Sequence, residues 1–156
     1  MNLVLVESPT KARMLSKFLG GGFQVEATMG HIRDLPTKKF GVSITDSGGS
    51  VKVEPEYEIS EGKTQRVQAF KSLSKPAEKI ILATDPDREG EAIAWHAAAL
   101  LRFERKKEEG RRKKEFQRVV FHQITQDAIL QAMAHPRQID IRLVDAQQAR
   151  RVLDRV

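Results

Sequence analysis

Three carboxylates at alternate positions, Asp85, Asp87 and Glu89, begin one residue after the apolar run Ile80-Ile81-Leu82-Ala83. Like charges this close repel one another unless a cation sits among them, and hard oxygen donors suit Mg2+ in the company of water and phosphate. The segment therefore reads as a magnesium site that handles phosphate. Pro86 fixes its own φ and keeps Asp85 out of helical conformation, so Asp85 and Asp87 can face one side at the carboxyl end of a strand. Glu89 falls in the first turn of the next helix, where free amides and the helix dipole favour an anion. A fourth carboxylate, Glu7, ends a second apolar run, Leu3-Val4-Leu5-Val6. Lys11 lies in the opening turn of the helix that follows, near enough to the same sheet edge to meet a phosphate oxygen. A cation there opposes the helix dipole, which favours a functional role over a solvated lysine.

These residues need a scaffold that brings two strand ends together. Short β-branched runs alternate with amphipathic stretches, which predicts an α/β domain on a largely parallel sheet. Strands are expected over residues 3–6, 23–27, 79–83 and 118–121, and helices over 9–19, 64–74, 88–103 and 125–134. Ser8 makes an N-cap with Pro9 in the first turn, and Gly20-Gly21-Gly22 supplies the stop. Those glycines follow a helix rather than precede one, so they read as a turn and not as a phosphate cradle. Irregular sequence with Val51-Lys52-Val53 suggests a hairpin-like insertion over about 36–62, and a charged loop is expected over about 104–116. A last helical pattern, 141–156, stops without a breaker, as if cut from a longer protein. In open α/β sheets ligands bind beyond the carboxyl ends of the strands, where these carboxylates fall.

Composition is consistent with this reading but less specific. The 156 residues suffice for one domain with its own core, and a net charge of +6 suggests a polyanionic partner. Most of that charge sits in one mixed-sign run from Arg102 to Glu115, with eight Lys/Arg against four Glu, which reads as a solvated helix end and loop. The absence of cysteine excludes disulfides and thiolate metal sites and fits a reducing cytoplasm. The first residues lack a basic start and reach Glu7 too soon for a signal peptide or membrane span.

Four segments in succession carry a family resemblance: Val4-Leu5-Val6-Glu7-Ser8-Pro9-Thr10-Lys11-Ala12, Met29-Gly30-His31-Ile32-Arg33-Asp34-Leu35-Pro36, Asp85 to His96, and Asp145-Ala146-Gln147-Gln148-Ala149-Arg150-Arg151-Val152-Leu153-Asp154-Arg155. They resemble, in order, the motifs of the bacterial DNA topoisomerase I family, the type IA topoisomerases. The resemblance implies a Rossmann-like Toprim domain over about 1–135, followed by the truncated start of a helical domain over 136–156. It implies a Mg2+-dependent enzyme that relaxes negatively supercoiled DNA. A tyrosine attacks one strand, forms a 5'-phosphotyrosyl link, lets the other strand pass and reseals. Glu7 would exchange a proton with the departing 3'-oxygen and help hold metal, and Lys11 would stabilise the transferring phosphate. Asp85, Asp87 and Glu89 would complete the Mg2+ site, with Asp85 the direct ligand. His31, Arg33, Arg88, Arg150, Arg151 and Asp154 would position DNA. The implied partners are a single-stranded segment of DNA and the remaining domains of the same polypeptide, in the cytoplasm at the nucleoid, with no membrane.

The chain departs from the family in one respect that decides its activity. Its single tyrosine, Tyr57, lies between glutamates in the insertion, matches no nucleophile motif and reads as structural. The chain alone is therefore expected to neither cleave nor relax DNA. A smaller departure, His122-Gln123 where the family pattern would end in Glu, is expected to lie away from the site, as is the charged loop. His96, two helical turns or about 10 Å beyond Glu89, is too far to share its metal, and Trp95 reads as a core residue. Rival readings are another Toprim enzyme, a primase or nuclease, which would lack the Ala146 to Arg155 motif, and a haloacid-dehalogenase-like phosphatase, whose Asp-x-Asp continues differently. A non-catalytic nucleic-acid-binding module would bind DNA whether or not Asp85 and Asp87 are present.

Overall fold

A computed structural model describes residues 1–36, 40–106 and 115–155. In chain order the elements are β1 (Asn2–Val6), α1 (Pro9–Leu19), β2 (Phe23–Ala27), β3 (Arg33–Asp34), β4 (Val42–Ser47), β5 (Ser50–Pro55), β6 (Glu58–Ile59), α2 (Thr64–Ser74), β7 (Lys79–Leu82), α3 (Arg88–Lys106), β8 (Glu115–Arg118), α4 (Gln126–Ala134) and α5 (Ile141–Leu153). The sheet has the order β2-β1-β7-β8, every pairing parallel. The α/β fold expected from the alternating pattern is the fold observed.

The central strands β1 and β7 are apolar on both sides because helices cover both faces. On one face Leu3, Leu5, Ile80 and Leu82 pack with Val67 and Phe70 of α2 and with Ala94, Ala97, Ala98 and Leu101 of α3. On the other, Val4, Val6, Ile81 and Ala83 pack with Leu15 of α1 and Ile129 of α4. Successive residues of one strand serve opposite cores. The chain leaves β1 for β2 on one side and later returns as β7 on the other, so the order reverses between β1 and β7. A crevice opens at such a switch point, beyond the strands' carboxyl ends.

The larger departures from the expected boundaries lie in the second half of the chain. The last sheet strand is Glu115–Arg118 rather than 118–121. Its partner β7 ends at Leu82, and beyond it Arg118 pairs with Arg137 through amide-to-carbonyl bonds of 3.0 and 2.8 Å, which turns the chain aside. Val119 and Phe121 are apolar because they cover the α1 and α4 side of the core after the strand has ended. Helix α3 runs on to Lys106, so the expected charged loop loses its first residues to a helix and its last to β8; its centre, 107–114, lies outside the described residues, as do 37–39 of the insertion and residue 156 of the last helix.

The expected hairpin is β4 and β5, turned by Gly48-Gly49 at φ of 60° and 97° between Ser47 and Ser50. Two left-handed central residues are what a two-residue hairpin loop requires. Helix α5 packs along α3. Among the described residues no helix is long and apolar enough to cross a membrane.

Candidate metal and phosphate site

Glu7 and Asp85 leave the adjacent strands β1 and β7 at their carboxyl ends, side by side at the switch point. Helix α1 places Lys11 against both. Ser8 caps it by accepting the Lys11 amide at 3.2 Å, Pro9 opens it, and the four-residue spacing turns Lys11 back over Glu7. Lys11 Nζ lies 2.8 Å from Glu7 Oε1 and 2.9 Å from Asp85 Oδ1. The Asp85 amide donates to Glu7 Oε2 at 2.9 Å. Lys11 is only 8% exposed, so it is a buried bridging cation and not a solvated helix residue.

Electrostatics separates the two carboxyls. Burial pushes Glu7 above the usual carboxylate range, and the Lys11 bond and charge offset this only in part. Burial acts on Asp85 in the same direction, but there the Lys11 bond and charge win, helped by Glu7 and the Arg118 charge, and hold it below its ordinary value. One carboxylate is kept charged while its neighbour is tuned toward holding a proton.

The other two acidic residues do not join this pair. Asp87 caps α3, accepting the Gly90 amide at 2.7 Å. Glu89 reaches the other way, to His31 Nε2 at 2.7 Å. Among the described residues no three His, Asp or Glu side chains converge as a metal-holding group in this arrangement. The sequence places four carboxylates at one edge, and the structure gives each an internal partner. Arg88 is exposed beside them.

The loop that carries Asp85 is held by two residues the sequence reading passed over. Arg118, buried to 1% exposure, sends Nη1 to the carbonyls of Leu82, Thr84 and Val119 and Nη2 to Asp85 O at 2.6 Å. Its Nε donates to Glu91 Oε1 at 2.9 Å. Glu91 is fully buried, and it also accepts from Arg137 Nη2 and from the Asp140 amide, tying the start of α3 to the segment before α5. Gly90 sits so close to the loop that a Cβ there would lie 1.9 Å from Asp85 O. A signal for Glu91 existed: it shares the apolar face of α3 with Ala94 and Ala98, where an unpaired acid would be costly.

A second cluster surrounds Arg33. Its Nε donates to His96 Nδ1 at 2.8 Å, and its guanidinium lies 5.1 Å from the ring centres of both Tyr57 and Trp95. Arginine only donates, so Nδ1 of His96 is the acceptor and the ring proton is on Nε2. Burial, then the charges of Arg33 and His31, lower His96 to about 3. His96 is thus a neutral support for Arg33, a role invisible at 63 residues' separation. Trp95 belongs to this half-buried cation–aromatic group rather than to either core cluster, and Tyr57 packs edge-on against it and His96. Arg151 grips Asp34 with Nε at 3.2 Å and Nη2 at 2.8 Å, joining α5 to β3. Arg150 faces outward, 3.6 Å from Asp154.

Beside the Glu7, Lys11 and Asp85 group opens a cleft of about 500 Å3, lined further by Ser8, Thr10, Met14, Pro86, Phe121, His122 and Ile124. His122 was expected to lie away from the site, but it lines this cleft, because the chain leaves β8 early and crosses the strand ends. On the opposite side, Met29 takes a left-handed φ of 59° and Gly30 one of 88°, braced by Lys63 Nζ on the Met29 carbonyl at 2.6 Å.

Residues 2–124 match the Toprim domain family. The chain is also similar to full-length topoisomerase I from Thermotoga maritima, with 43% identity and a TM-score of 0.81 over 98% of this chain. It spans 24% of that protein's length.

Proposed function

The chain belongs to the Toprim domain family, and from that premise we propose that it is the metal-handling part of a type IA DNA topoisomerase. The observation that carries the reading is the Glu7, Lys11 and Asp85 group at the switch point, with two carboxyl groups and a buried ammonium within 3 Å contacts of one another. The similarity to topoisomerase I favours this over a primase or nuclease, and the Ala146 to Arg155 motif supports the same choice.

The donor set fits Mg2+: hard carboxylate oxygens from two neighbouring strand ends already hold one resident cation, the Lys11 ammonium. Asp85 and Glu7, joined by Asp87 and Glu89 once these leave the Gly90 amide and His31, would hold the metal, which when bound would supply charge neutralisation for the reacting phosphodiester. The chain's own residues do the rest. Glu7, kept easier to protonate by burial, gives a proton to the 3'-oxygen as the strand is cut and takes it back on resealing. Lys11 offsets charge on the transferring phosphate. Arg118 fixes the Asp85 backbone so that neither group wanders. His31, Arg33, Arg88, Arg150, Arg151 and Asp154 position the strand, Arg33 and Arg151 through their ties to His96 and Asp34.

The attacking tyrosine comes from outside these residues, since Tyr57 is packed into the Arg33 cluster. The chain alone is therefore inactive, and the whole polypeptide relaxes negatively supercoiled DNA in the cytoplasm. The test is plasmid relaxation with Mg2+ by the chain, by its parent polypeptide, and by the parent carrying Glu7→Ala or Asp85→Ala/Asp87→Ala. The expected result is an active parent with an inactive chain and impaired variants. Undiminished relaxation by both variants would refute the assignment.

A further inference from the structure

Arg33 carries a positive charge that the fold shelters and leaves unpaired. It lies half-buried on β3, opposite Ile59 of β6, and burial pulls its guanidinium below the ordinary value. A sheltered arginine normally meets a carboxylate. The adjacent acid, Asp34, is already spent on Arg151, which grips both of its oxygens, and on the Leu35 amide. Among the described residues Arg33 forms no ion pair.

What surrounds the guanidinium is uncharged. Tyr57 and Trp95 attract it through their rings, which holds a cation without cancelling it. Burial raises the Tyr57 phenol, so that group stays neutral. His96, 2% exposed and set edge-on between the Tyr57 and Trp95 rings at 4.6 and 5.0 Å, is itself unable to turn away. Its Nδ1 takes up Arg33 Nε alone. The two terminal nitrogens, which grip phosphate oxygens side by side, have no protein acceptor among the described residues. An arginine fixed in place with its charge and its fork unspent is a receptor for an anion. Arg33 stands two residues along from His31, which meets Glu89 at the start of α3, so the receptor borders the carboxylate site.

We propose that Arg33 receives a phosphodiester of the DNA strand beside the reacting one, and that His96 is the positioning residue that orients the guanidinium while leaving its charge free. A carboxylate in the place of His96 would orient Arg33 equally well and cancel it. A neutral acceptor does the first without the second.

The inference rests on the reading of the parent polypeptide as a DNA-handling enzyme, and the experiment separates the two. Binding of a single-stranded oligothymidylate to the parent is measured against KCl concentration, for the wild type and for Arg33→Met, Arg33→Lys, His96→Asp and His96→Asn, with plasmid relaxation by the wild type alongside. One phosphate contact contributes about 0.7 to the slope of log K on log salt. Arg33→Met and His96→Asp should each lose about that much slope and roughly tenfold in affinity. His96→Asn, whose Oδ1 is a neutral acceptor, should keep the slope that His96→Asp loses. Arg33→Lys should bind more weakly with the slope retained, which keeps the test open if Arg33→Met does not fold. A merely structural His96 would make the Asp and Asn variants alike, and that result would overturn the proposal. So would an Arg33→Met protein with the wild-type slope but lowered urea stability, which would assign the anion to an acidic side chain elsewhere in the polypeptide. Either outcome with wild-type relaxation intact leaves the enzyme reading standing, whereas a parent that neither binds the oligonucleotide nor relaxes plasmid would overturn both.

Discussion

Replacing Gly90 with alanine should destabilise the protein, although a helix normally gains from that change. Alanine is favoured over glycine in a helix by about 1 kcal/mol. Here the added Cβ would stand 1.9 Å from Asp85 O, 2.7 Å from its carbonyl carbon and 2.8 Å from its nitrogen. Cβ atoms do not approach other atoms within 3.0 Å, so the Asp85 peptide must retreat by at least 3.0 − 1.9 = 1.1 Å. That peptide is held by Arg118 Nη2 on its oxygen at 2.6 Å and by Glu7 Oε2 on its amide at 2.9 Å, and Thr84 Oγ1 ties Gly90 O at 2.6 Å. A shift of this size breaks at least one bond to a charged group, about 1.5–3 kcal/mol, and adds overpacking of about 1–3 kcal/mol. After subtracting the helix gain, the net loss is about 1.5–5 kcal/mol. Urea denaturation followed by circular dichroism measures it, with Gly21→Ala as control, since a Cβ there meets nothing within 4 Å. A Gly90→Ala protein as stable as the wild type, or more so, would refute the claim that the Asp85 loop is fixed against α3.

The remaining predictions concern the same frame. Arg118→Met should cost about 3–5 kcal/mol in urea, because it leaves Glu91 buried with one fewer charged partner; Arg150→Ala, on an exposed pair, should stay within about 0.5 kcal/mol. His96, lowered from 6.5 to about 3, stays neutral in the folded state while the unfolded chain takes up a proton, so its contribution is full above pH 6.5 and falls as pH drops toward 3. Between pH 7 and 5 the loss is about 2 kcal/mol, and paired urea titrations of wild type and His96→Asn should show that part of the slope missing in the variant. Phe70→Ala, at a site 2% exposed in the α2 side of the core, should lose about 3–5 kcal/mol by the same assay.

What the sequence made legible follows from how local each signal is. The ends of β1 and β7 could be read because apolar runs stop abruptly at Glu7 and Asp85, and α1 because Ser8, Pro9 and Gly20 are punctuation that acts within a few residues. The parallel sheet followed from short β-branched runs alternating with amphipathic helical stretches. The start of β8 was misplaced by three residues because Val119 and Phe121 carry a strand's composition while covering a core after the pairing has ended. The site's partners were not legible at all. That Lys11 bridges Glu7 and Asp85, that Glu89 turns to His31 and Asp87 to its own helix, and that Arg118 holds the Asp85 carbonyl are choices made among charges brought together from distant positions. Spacing shows which residues share an edge; it does not show which of them pair.

The most direct test of the central claim is to trap the covalent adduct. The parent polypeptide is incubated with a single-stranded oligonucleotide and denatured during turnover, and the tyrosine joined to the 5'-phosphate is located by mass spectrometry. The account predicts an adduct on a tyrosine outside residues 1–156, retained in Tyr57→Phe and suppressed in Glu7→Gln. An adduct on Tyr57, or one that forms as readily without the Glu7 carboxyl, would contradict it.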